Sequence, residues 1–360
     1  MKTLLIMAGG TGGHIFPGLA VADAVKAAGW RVVWLGNPDG MEARLVPGRG
    51  YEMANLRFAA LRGKGLLRKL LLPFNLLHGF ALAFGQLKKI RPDVVLGMGG
   101  FVSFPGGMMA VLRGVPLLIH EQNSVAGLAN RVLAGVADRV LSGFPAALKK
   151  AEWCGNPVRP EIVALPPPAQ RYGERMNAGA SLPLNLLVIG GSLGAQVLNE
   201  TLPDALALLP EALRPQVVHQ AGEKHLATLR ARYEKHGVLS NCTAFIDDMA
   251  GAYAWADLVV CRAGALTIAE LATAGVASIL VPFPHAVDDH QTSNARFLSD
   301  AGAAILLPQS ELSAEKLSLL RTLGRGQLLQ MAEKAHELAR PNATSVVADA
   351  CMNMAKGGSK

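Results

Sequence analysis

Residues 4–14 read Leu4-Leu5-Ile6-Met7-Ala8-Gly9-Gly10-Thr11-Gly12-Gly13-His14, an apolar strand that runs into a glycine-rich turn. A second copy of the pattern reads Leu186-Leu187-Val188-Ile189-Gly190-Gly191-Ser192-Leu193-Gly194-Ala195. From Gly9 to Gly190 the offset is 181 residues, about half of the 360-residue chain. Both copies place a hydroxyl third in the turn and a helical segment after it. An internal repeat of this length predicts two related halves.

Apolar runs of strand length alternate with helix-length segments along both halves. In the first half these runs are Leu4–Met7, Val32–Leu35, Val94–Leu96, Leu117–Ile119 and Arg139–Leu141. In the second half they are Leu186–Ile189, Val217–His219, Leu258–Cys261, Ser278–Val281 and Ala304–Leu307. Short apolar runs without alternation predict parallel strands buried on both faces, and intervening helices predict an α/β class. We expect two Rossmann-like domains whose parallel sheets face each other across a cleft.

Prolines are concentrated where one half gives way to the other. They occur in residues 155–160 and at Pro166-Pro167-Pro168, and polar residues continue to Pro183. Proline removes backbone donors and stiffens the chain, which favours a linker here. The expected domains are residues 1–160 and 161–340. Residues 341–360 are expected to form a helix or tail, with the N-terminal domain as its candidate packing partner.

Composition limits the class of protein. The chain is 51% apolar with a net charge of +8, which excludes a disordered chain and favours an anionic partner. Its most apolar window, residues 70–85, contains Pro73, Asn75 and His78 and falls short of the ~20 apolar residues that a membrane span needs. The apolar run at the start is too short for a signal peptide because glycines interrupt it. Four scattered cysteines without a C-x-x-C pair indicate a reducing cytosol and no structural zinc.

Four glycine turns follow predicted strands, and such turns let backbone N–H groups approach a phosphate. They lie at residues 9–13, 97–100, 190–194 and 262–265. Glycine also serves tight packing, so one turn alone would say little, but four at strand ends favour a phosphate-rich ligand. The dinucleotide fingerprint fails because Ile15 stands at its third glycine, and the chain has no P-loop motif.

Two other kinds of site can be drawn from the second half. Residues 190–194 match the G-x-S-x-G nucleophile elbow, with Asp257 and His285 in the order of a hydrolase triad. The first copy has Thr11 in place of Ser192, and a phosphate turn explains both copies. His285, Asp288, Asp289 and His290 could suggest a metal, but this pattern is more typical of a loop and helix start.

Three polar positions each allow two interpretations. His14 opens the helix after the first turn, either as a neutral hydrogen-bonding residue or as a general base. Residues 267–270 match a capping box, so Glu270 is either a helix cap or a ribose ligand. The run His120-Glu121-Gln122-Asn123 ends an apolar strand, where clustered polar groups are costly unless they bind something.

A basic, apolar segment covers residues 62–74. It is either a buried helix with a solvated basic start or a membrane-docking patch, in which leucines and a phenylalanine enter the headgroup boundary. The patch residues are Leu67, Arg68, Lys69, Leu70, Leu71 and Phe74. Nucleic acid is the less favoured partner for this segment, because few aromatic residues are available to stack on bases.

Taken together, these motifs resemble the bacterial glycosyltransferases of family 28, which add N-acetylglucosamine to the undecaprenyl-diphosphate-linked muramoyl-pentapeptide of peptidoglycan synthesis. The resemblance runs from Met7 to about Ala339. It rests on residues 7–18, 97–103, 120–123, 155–159, 190–195, 245–249, 261–270 and 284–291.

The resemblance implies a GT-B fold, UDP-N-acetylglucosamine as donor and inversion at the anomeric carbon. It also implies Ile246 on uracil through its backbone, Glu270 on ribose and Gln291 on sugar hydroxyls. The full donor set would be Thr11, Gly12, Gly13, Asn123, Arg159, Ser192, Ile246, Ala265, Leu266, Thr267, Ile268, Ala269, Glu270 and Gln291. Gly99 and Gly100 would meet the acceptor diphosphate, and His14 would be the base, with Glu121 as the alternative.

A helix N-terminus at residues 264–267 could stabilise the departing diphosphate, so no cofactor or metal ion is required, and metal stimulation is left open. Expected partners are UDP-N-acetylglucosamine, the polyprenyl-diphosphate-linked muramoyl-pentapeptide and an anionic membrane surface, at the cytoplasmic face of the inner membrane. Two rivals stay open: a GT-B transferase with another glycolipid acceptor and a non-catalytic nucleotide-sugar-binding module.

Overall fold

The computed structural model describes residues 1–58, 66–179, 183–191 and 194–357, with the side chains of residues 66–72, 287, 356 and 357 outside that description. The chain divides into two compact units. The first unit comprises Met1–Val158 and Arg340–Lys360, and the second comprises Arg159–Ala339. These limits lie within two residues of the expected boundaries at 160 and 340.

Thirteen strands and fifteen α-helices alternate along the described chain. The strands are β1 Thr3–Ala8, β2 Arg31–Gly36, β3 Glu52–Asn55, β4 Val94–Gly99, β5 Leu117–Glu121, β6 Arg139–Ser142, β7 Glu152–Trp153, β8 Asn185–Ile189, β9 Gln216–Gln220, β10 Ser240–Thr243, β11 Leu258–Cys261, β12 Ala277–Leu280 and β13 Ala304–Leu306. The helices are α1 Gly12–Ala27, α2 Glu42–Gly48, α3 Leu66–Ile90, α4 Ser103–Leu112, α5 Leu128–Leu133, α6 Pro160–Val163, α7 Pro168–Ala178, α8 Gln196–Ala207, α9 Leu226–Lys235, α10 Met249–Trp255, α11 Ala265–Ala274, α12 His290–Ser299, α13 Ala314–Leu317, α14 Arg325–Glu337 and α15 Ala343–Gly357.

Each unit is built on one parallel sheet. The strand order is β3-β2-β1-β4-β5-β6-β7 in the first unit and β10-β9-β8-β11-β12-β13 in the second. In both sheets the order reverses beside the first strand of the unit, between β1 and β4 and between β8 and β11. Ligands of open α/β sheets bind at such a switch point, beyond the carboxyl ends of the strands. The glycine turns of both copies lie there.

The central strands are apolar throughout because helices cover both faces of each sheet. Leu4 and Ile6 of β1 pack into one core cluster, whereas Leu5 and Met7 pack into another. In the second unit, Val188 and Val260 belong to one core cluster, and Leu187 and Val259, which point to the other face of the sheet, are also fully buried. The prediction of parallel strands buried on both faces is confirmed.

The linker prediction is wrong for the proline-rich passage beyond residue 159, although the boundary between the two units does fall between Val158 and Arg159. Residues 160–163 and 168–178 form α6 and α7, each with proline at the start of the helix. Proline suits this position because the first-turn N–H has no intrahelical partner. Tyr172 of α7 is fully buried, and its hydroxyl donates to the carbonyl oxygen of Asp257 at 2.6 Å. Helix α7 is therefore part of the core of the second unit.

The C-terminal helix α15 belongs to the first unit. Val347 and Cys351 are fully buried in the same cluster as Leu4 and Ile6. The Lys2 ammonium group donates to the carbonyl oxygen of Ala355. The two ends of the chain thus complete one domain.

No helix in the described part of the chain is long and apolar enough to cross a membrane.

Candidate active site

Two glycine turns of the first unit lie against each other at its switch point. Gly100 has a φ of +86°, and a Cβ there would lie 2.4 Å from the carbonyl oxygen of Gly9. The buried hydroxyl of Ser103 donates to the carbonyl oxygens of Met7 and Gly99. The turn after β4 is thereby fixed on the turn after β1. The structure thus brings the predicted acceptor residues Gly99 and Gly100 to the start of α1.

Glu42 holds the glycine turn after β1 in place, and the sequence did not reveal this residue. Its carboxylate is buried and accepts from the N–H groups of Gly10 and Asn37, at 3.2 and 3.0 Å. A Cβ at Gly9 would lie 2.4 Å from a carboxylate oxygen of Glu42. Glu42 could not be identified from local sequence patterns, because its hydrogen-bond partners lie up to 32 positions away.

His14 lies in the first turn of α1, beside the second glycine turn. Thr11 is the N-cap residue, Gly12 and Gly13 begin the helix, and no side chain caps it. Gly99, at a φ of +102°, leaves room for the ring, because a Cβ there would lie 3.0 Å from it. The Nδ1 atom of His14 lies 2.7 Å from Oε1 of Gln122. The ring is therefore held at the predicted site, through a residue that had no predicted role.

Glu121, the alternative base, turns to the loop that follows β5. One carboxylate oxygen accepts from the N–H and the amide of Asn123, at 2.9 and 3.3 Å. The other accepts from the N–H of Gly127 at 3.3 Å and from the amide of Asn130 at 2.9 Å. The buried carboxylate is thus saturated with donors. This geometry favours His14 as the base. The Glu121 carboxylate instead holds the loop that carries Asn123.

A cavity of about 590 Å³ opens at the switch point of the second unit. Its walls include the glycine turn after β8 and the start of α11. A Cβ at Gly194, whose φ is +77°, would lie 2.0 Å from the carbonyl oxygen of Ala221, so only glycine fits there. Ser192 lies outside the described residues. The cavity is of a size that small-molecule ligands use.

The helix α11 begins within the predicted N-terminus at residues 264–267, and earlier than the capping-box pattern indicates. Its N-cap is Gly264, and no side chain caps the first turn. Thr267 is therefore the third residue of the helix, and Glu270 lies in its interior, so the capping-box interpretation is wrong. The N–H groups of a first turn lack intrahelical partners. Gly264 and Thr267 line the cavity, which places this terminus at its wall.

Glu270 joins Arg159 and Tyr253 in a buried polar cluster. The Arg159 guanidinium donates twice to one carboxylate oxygen of Glu270, at 2.7 and 3.1 Å. The Tyr253 hydroxyl donates to the other at 3.1 Å. Burial raises the pKa of Glu270, and the charge and hydrogen bonds of Arg159 oppose that rise. Two residues of the predicted donor set are thus in contact, and Tyr253 is a partner that the sequence did not reveal.

Gln291 ties two strand ends of the second unit together at the cavity. Its Oε1 accepts from the N–H of Phe283 at 2.9 Å and from the N–H of Ala263 at 3.3 Å. Fully buried Asn294, one turn further along α12, donates to the carbonyl oxygen of Ala263. Ile246, the predicted uracil contact, is half-buried in the segment between β10 and α10. These placements leave the predicted roles of Gln291 and Ile246 as proposals.

Arg262, a cation in the cavity wall, was also missed. Its guanidinium donates to the carbonyl oxygens of Val281 and Pro282 and to Oε1 of Gln309. Arg262 directly follows β11, and its place at the carboxyl end of a predicted strand is the feature that could have identified it from the sequence. This side chain adds positive charge to the wall that carries the start of α11.

The hydrolase interpretation is wrong. Asp257 precedes β11, and its N–H donates to the carbonyl oxygen of Asn185 at the start of β8. The G-x-S-x-G turn follows the other end of β8, and at ~3.3 Å per residue five residues separate the two ends by roughly 16 Å. The Asp257 carboxylate instead pairs with Arg175 and Arg325.

The acidic pair near His285 forms part of a loop. Asp288 and Asp289 both have positive φ, and Asp289 accepts a hydrogen bond from the hydroxyl of Thr292. His285 packs edge-on against the ring of Phe283. Across the described residues, no group of three or more His, Cys, Asp or Glu side chains is arranged to hold a metal ion.

The docking patch falls on α3. Of its predicted residues, only Phe74 has a described side chain, and that side chain is 70% exposed. Leu67, Arg68, Lys69, Leu70 and Leu71 lie in the helix, with side chains outside the description. Leu77, one turn after Phe74, is also exposed. Phe74 and Leu77 are therefore exposed apolar side chains on α3, and the polar residues Asn75 and His78 are exposed beside them.

Two Rossmann-like domains, with glycine turns at both switch points and a ligand-sized cavity in the second, are the architecture of GT-B glycosyltransferases. The solved structure of MurG from Acinetobacter baumannii matches with a TM-score of 0.85 at 42% identity, over 98% of this chain and 100% of that one. A glycosyltransferase of kitacinnamycin matches in fold, with a TM-score of 0.70 at 18% identity.

Family models agree with the fold. The glycosyltransferase family 28 N-terminal domain matches residues 4–142, and the C-terminal domain of that family matches residues 185–353. The chain belongs to glycosyltransferase family 28, which confirms the resemblance seen in the sequence.

Relatives named UDP-N-acetylglucosamine--N-acetylmuramyl-(pentapeptide) pyrophosphoryl-undecaprenol N-acetylglucosamine transferase are similar over almost the full length. The protein from Dechloromonas aromatica is 66% identical over 99% of both chains. The protein from Azoarcus sp. is 68% identical, also over 99% of both chains.

Proposed function

We propose that this protein transfers N-acetylglucosamine from UDP-N-acetylglucosamine to the muramyl-pentapeptide that is linked through a diphosphate to undecaprenol. The observation that carries the proposal is the 66–68% identity, over the full length, to enzymes named for this transfer. The reaction makes the lipid-linked disaccharide of peptidoglycan. A net charge of +8 suits a protein whose two substrates both carry diphosphates.

The second unit holds the UDP part of the donor in this proposal, and the first unit adds four residues of the predicted donor set, Thr11, Gly12, Gly13 and Asn123. The open first turn of α11 and the guanidinium of Arg262 direct positive potential at the diphosphate, which stabilises charge as UDP departs. Glu270 accepts from the ribose hydroxyls, and Gln291 contacts the sugar. No resident cofactor enters the proposal, because these groups supply the positive charge that the leaving group needs.

The first unit holds the acceptor and the base. The paired glycine turns at residues 9–13 and 99–100 present N–H groups to the acceptor diphosphate. His14 takes the proton of the acceptor hydroxyl as its oxygen attacks the anomeric carbon. The bond from that carbon to the diphosphate oxygen breaks in the same step, and its electron pair leaves with UDP. A single displacement of this kind inverts the anomeric centre.

The deciding experiment is transfer of radiolabelled N-acetylglucosamine from its UDP form to the purified lipid-linked muramyl-pentapeptide. A labelled lipid product supports the proposal. Binding of UDP-N-acetylglucosamine without transfer would instead indicate a nucleotide-sugar-binding module, and transfer only to a different glycolipid would change the acceptor.

The proposed location of the protein is the cytoplasmic surface of the inner membrane. The acceptor carries a polyprenyl chain, so the protein has to meet it at a lipid surface. Exposed Phe74 and Leu77 on α3 are suited to enter the headgroup boundary, and the sequence of the same helix includes the basic residues Arg68 and Lys69. Four free, buried cysteines suit a reducing compartment.

Replacing Phe74 and Leu77 with serine should release the protein from vesicles that contain anionic lipid. Two apolar side chains at ~1.5–3 kcal/mol each account for a large share of such binding. Sedimentation with phosphatidylglycerol vesicles measures it, and the matched control is Leu239→Ser, an exposed leucine of the second unit. Equal sedimentation of the double variant and the wild type would refute docking through α3.

The variant Glu270→Gln should weaken binding of UDP about 10- to 100-fold. A hydrogen bond to a charged group contributes ~1.5–3 kcal/mol, and 1.4 kcal/mol is tenfold in affinity. Isothermal titration calorimetry with UDP measures the change. Tyr253→Phe is the control, because it removes one donor to the carboxylate and keeps the charge. Wild-type affinity in Glu270→Gln would show that Glu270 only partners Arg159 and Tyr253 and does not contact UDP.

A further inference from the structure

Behind His14 lies an unbroken chain of hydrogen bonds that ends on a backbone carbonyl. His14 contacts Gln122, Gln122 contacts His120, and His120 contacts the carbonyl oxygen of Gly155 at 2.9 Å. Gln122 and His120 are almost completely buried, whereas His14 is half-buried. All four residues belong to the first unit. A buried chain of this kind has only as many proton arrangements as its donors and acceptors allow.

The carbonyl oxygen of Gly155 determines which atom donates and which accepts in each of these hydrogen bonds. A carbonyl oxygen can only accept, so Nε2 of His120 carries the proton that it receives. Burial lowers the pKa of His120 to about 4, so the ring is neutral near pH 7. A neutral imidazole has one proton, and therefore Nδ1 of His120 is a lone-pair acceptor.

That acceptor fixes the orientation of the Gln122 amide. Its nitrogen donates to Nδ1 of His120 and to the carbonyl oxygen of His120, both at 3.0 Å. Rotating the amide by 180° would set its oxygen against these two acceptors and leave Nδ1 of His120 without a donor, whereas the carbonyl oxygen would keep the amide of Asn130. A buried acceptor left without a donor costs ~1–3 kcal/mol. The nitrogen therefore faces His120, and the oxygen faces His14.

The last link determines the state of His14. Oε1 of Gln122 can only accept, so Nδ1 of His14 carries the proton across the 2.7 Å contact. We propose that Gln122 and His120 are positioning residues that hold His14 as the Nδ1–H tautomer, so that its Nε2 lone pair receives the acceptor proton. Nε2 of His14 has no hydrogen-bond partner among the described residues. This inference rests on the proposed function, in which His14 is the base.

The proposal gives the transfer a defined proton acceptor. The acceptor hydroxyl gives its proton to Nε2, its oxygen bonds to the anomeric carbon, and UDP leaves with the electrons of the broken bond. The imidazolium that forms keeps its Nδ1–H on Gln122. In the opposite tautomer Nε2 would already carry a proton and could not take another.

Long-range ¹H–¹⁵N spectra of the ¹⁵N-histidine-labelled full chain test the tautomers directly. His14→Gln and His120→Asn assign the two rings by the signals that they remove. We expect Nδ1 protonated in His14 and Nε2 protonated in His120 of the wild type. A His14 ring protonated at Nε2 in the wild type overturns the proposal, whatever the behaviour of the variants.

Two substitutions at Gln122 separate positioning from a merely structural role. Gln122→Met keeps the length and removes the acceptor, so His14 should lose its fixed tautomer and kcat should fall about 10- to 100-fold at unchanged KM for the donor. Gln122→Glu keeps an acceptor for Nδ1–H of His14 and should recover the tautomer, and its second oxygen, which faces Nδ1 of His120 without a proton to donate, limits the recovery of kcat to a part. An unchanged His14 spectrum in Gln122→Met contradicts the proposal. Absence of transfer in the wild type, with the expected spectrum, would contradict the proposed function alone.

Discussion

His14→Ala should lower kcat about 10²- to 10⁴-fold, the usual contribution of a positioned general base. The affinity for UDP-N-acetylglucosamine should stay near that of the wild type, because the donor cavity lies in the second unit and His14 lies in the first. Single-turnover kinetics measure the chemical step, and calorimetry measures donor binding. Added imidazole should restore part of the rate, since the substitution leaves the space of a ring beside Gly99.

Glu121→Gln is the comparison that decides between the two candidate bases. Each carboxylate oxygen of Glu121 accepts two hydrogen bonds, so an amide nitrogen there would face donors. We expect a loss of about 1–3 kcal/mol in the free energy of unfolding for each donor left without a partner. An inactive Glu121→Gln with an unchanged melting temperature, together with near-normal turnover of His14→Ala, would assign the base to Glu121.

Gly100→Ala should destabilise the first unit by about 2–5 kcal/mol. A left-handed backbone costs ~1–2 kcal/mol for a residue with a Cβ, and overpacking adds ~1–3 kcal/mol. The Cβ would lie 2.4 Å from the backbone oxygen of Gly9, which no side-chain rotation can relieve. Because the two glycine turns would separate, kcat/KM for the lipid acceptor should fall at least about 100-fold, as a misplacement of about 1 Å can do. Thermal unfolding and acceptor-dependent kinetics measure the two effects.

Gly10→Ala is the matched control. Gly10 also has a positive φ, +90°, but no atom lies within 4 Å of the Cβ that alanine would add. It should therefore cost only the ~1–2 kcal/mol of backbone strain. Equal losses of stability in the two variants would show that strain, and not the close approach of the turns, dominates at Gly100.

The central strands could be predicted from sequence because burial on both faces leaves a continuous apolar run. The strands that were missed, β3, β7 and β10, are all at sheet edges. Their sequences include Glu52, Asn55 and Asn241, since an edge strand meets solvent and needs few apolar residues. The capping-box pattern at residues 267–270 was misleading, because Gly264 caps α11 without any side-chain signal, although the N-terminus predicted at residues 264–267 is where the helix begins.

The glycine turns of the site were predictable because strand, turn and helix follow one another in sequence. The contacts that support them were not. Gln122 meets His14 across 108 positions, and Glu270 meets Arg159 across 111. Such pairs are set by the order of the strands, which one sequence does not reveal. Resemblance named Arg159 and Glu270, but their contact, and the whole connection from His14 to Gly155, required the fold.

Helix α15 has a consequence for how the protein is made. Ribosomes deliver the chain from its N-terminus, and domains generally fold as they emerge. Val347 and Cys351 join α1 in the core around Leu4 and Ile6, so part of one apolar face of the first sheet stays uncovered until α15 is synthesised. The whole second unit, Arg159–Ala339, is translated before α15. The unit whose sheet is translated first is therefore completed only after the second unit has been translated.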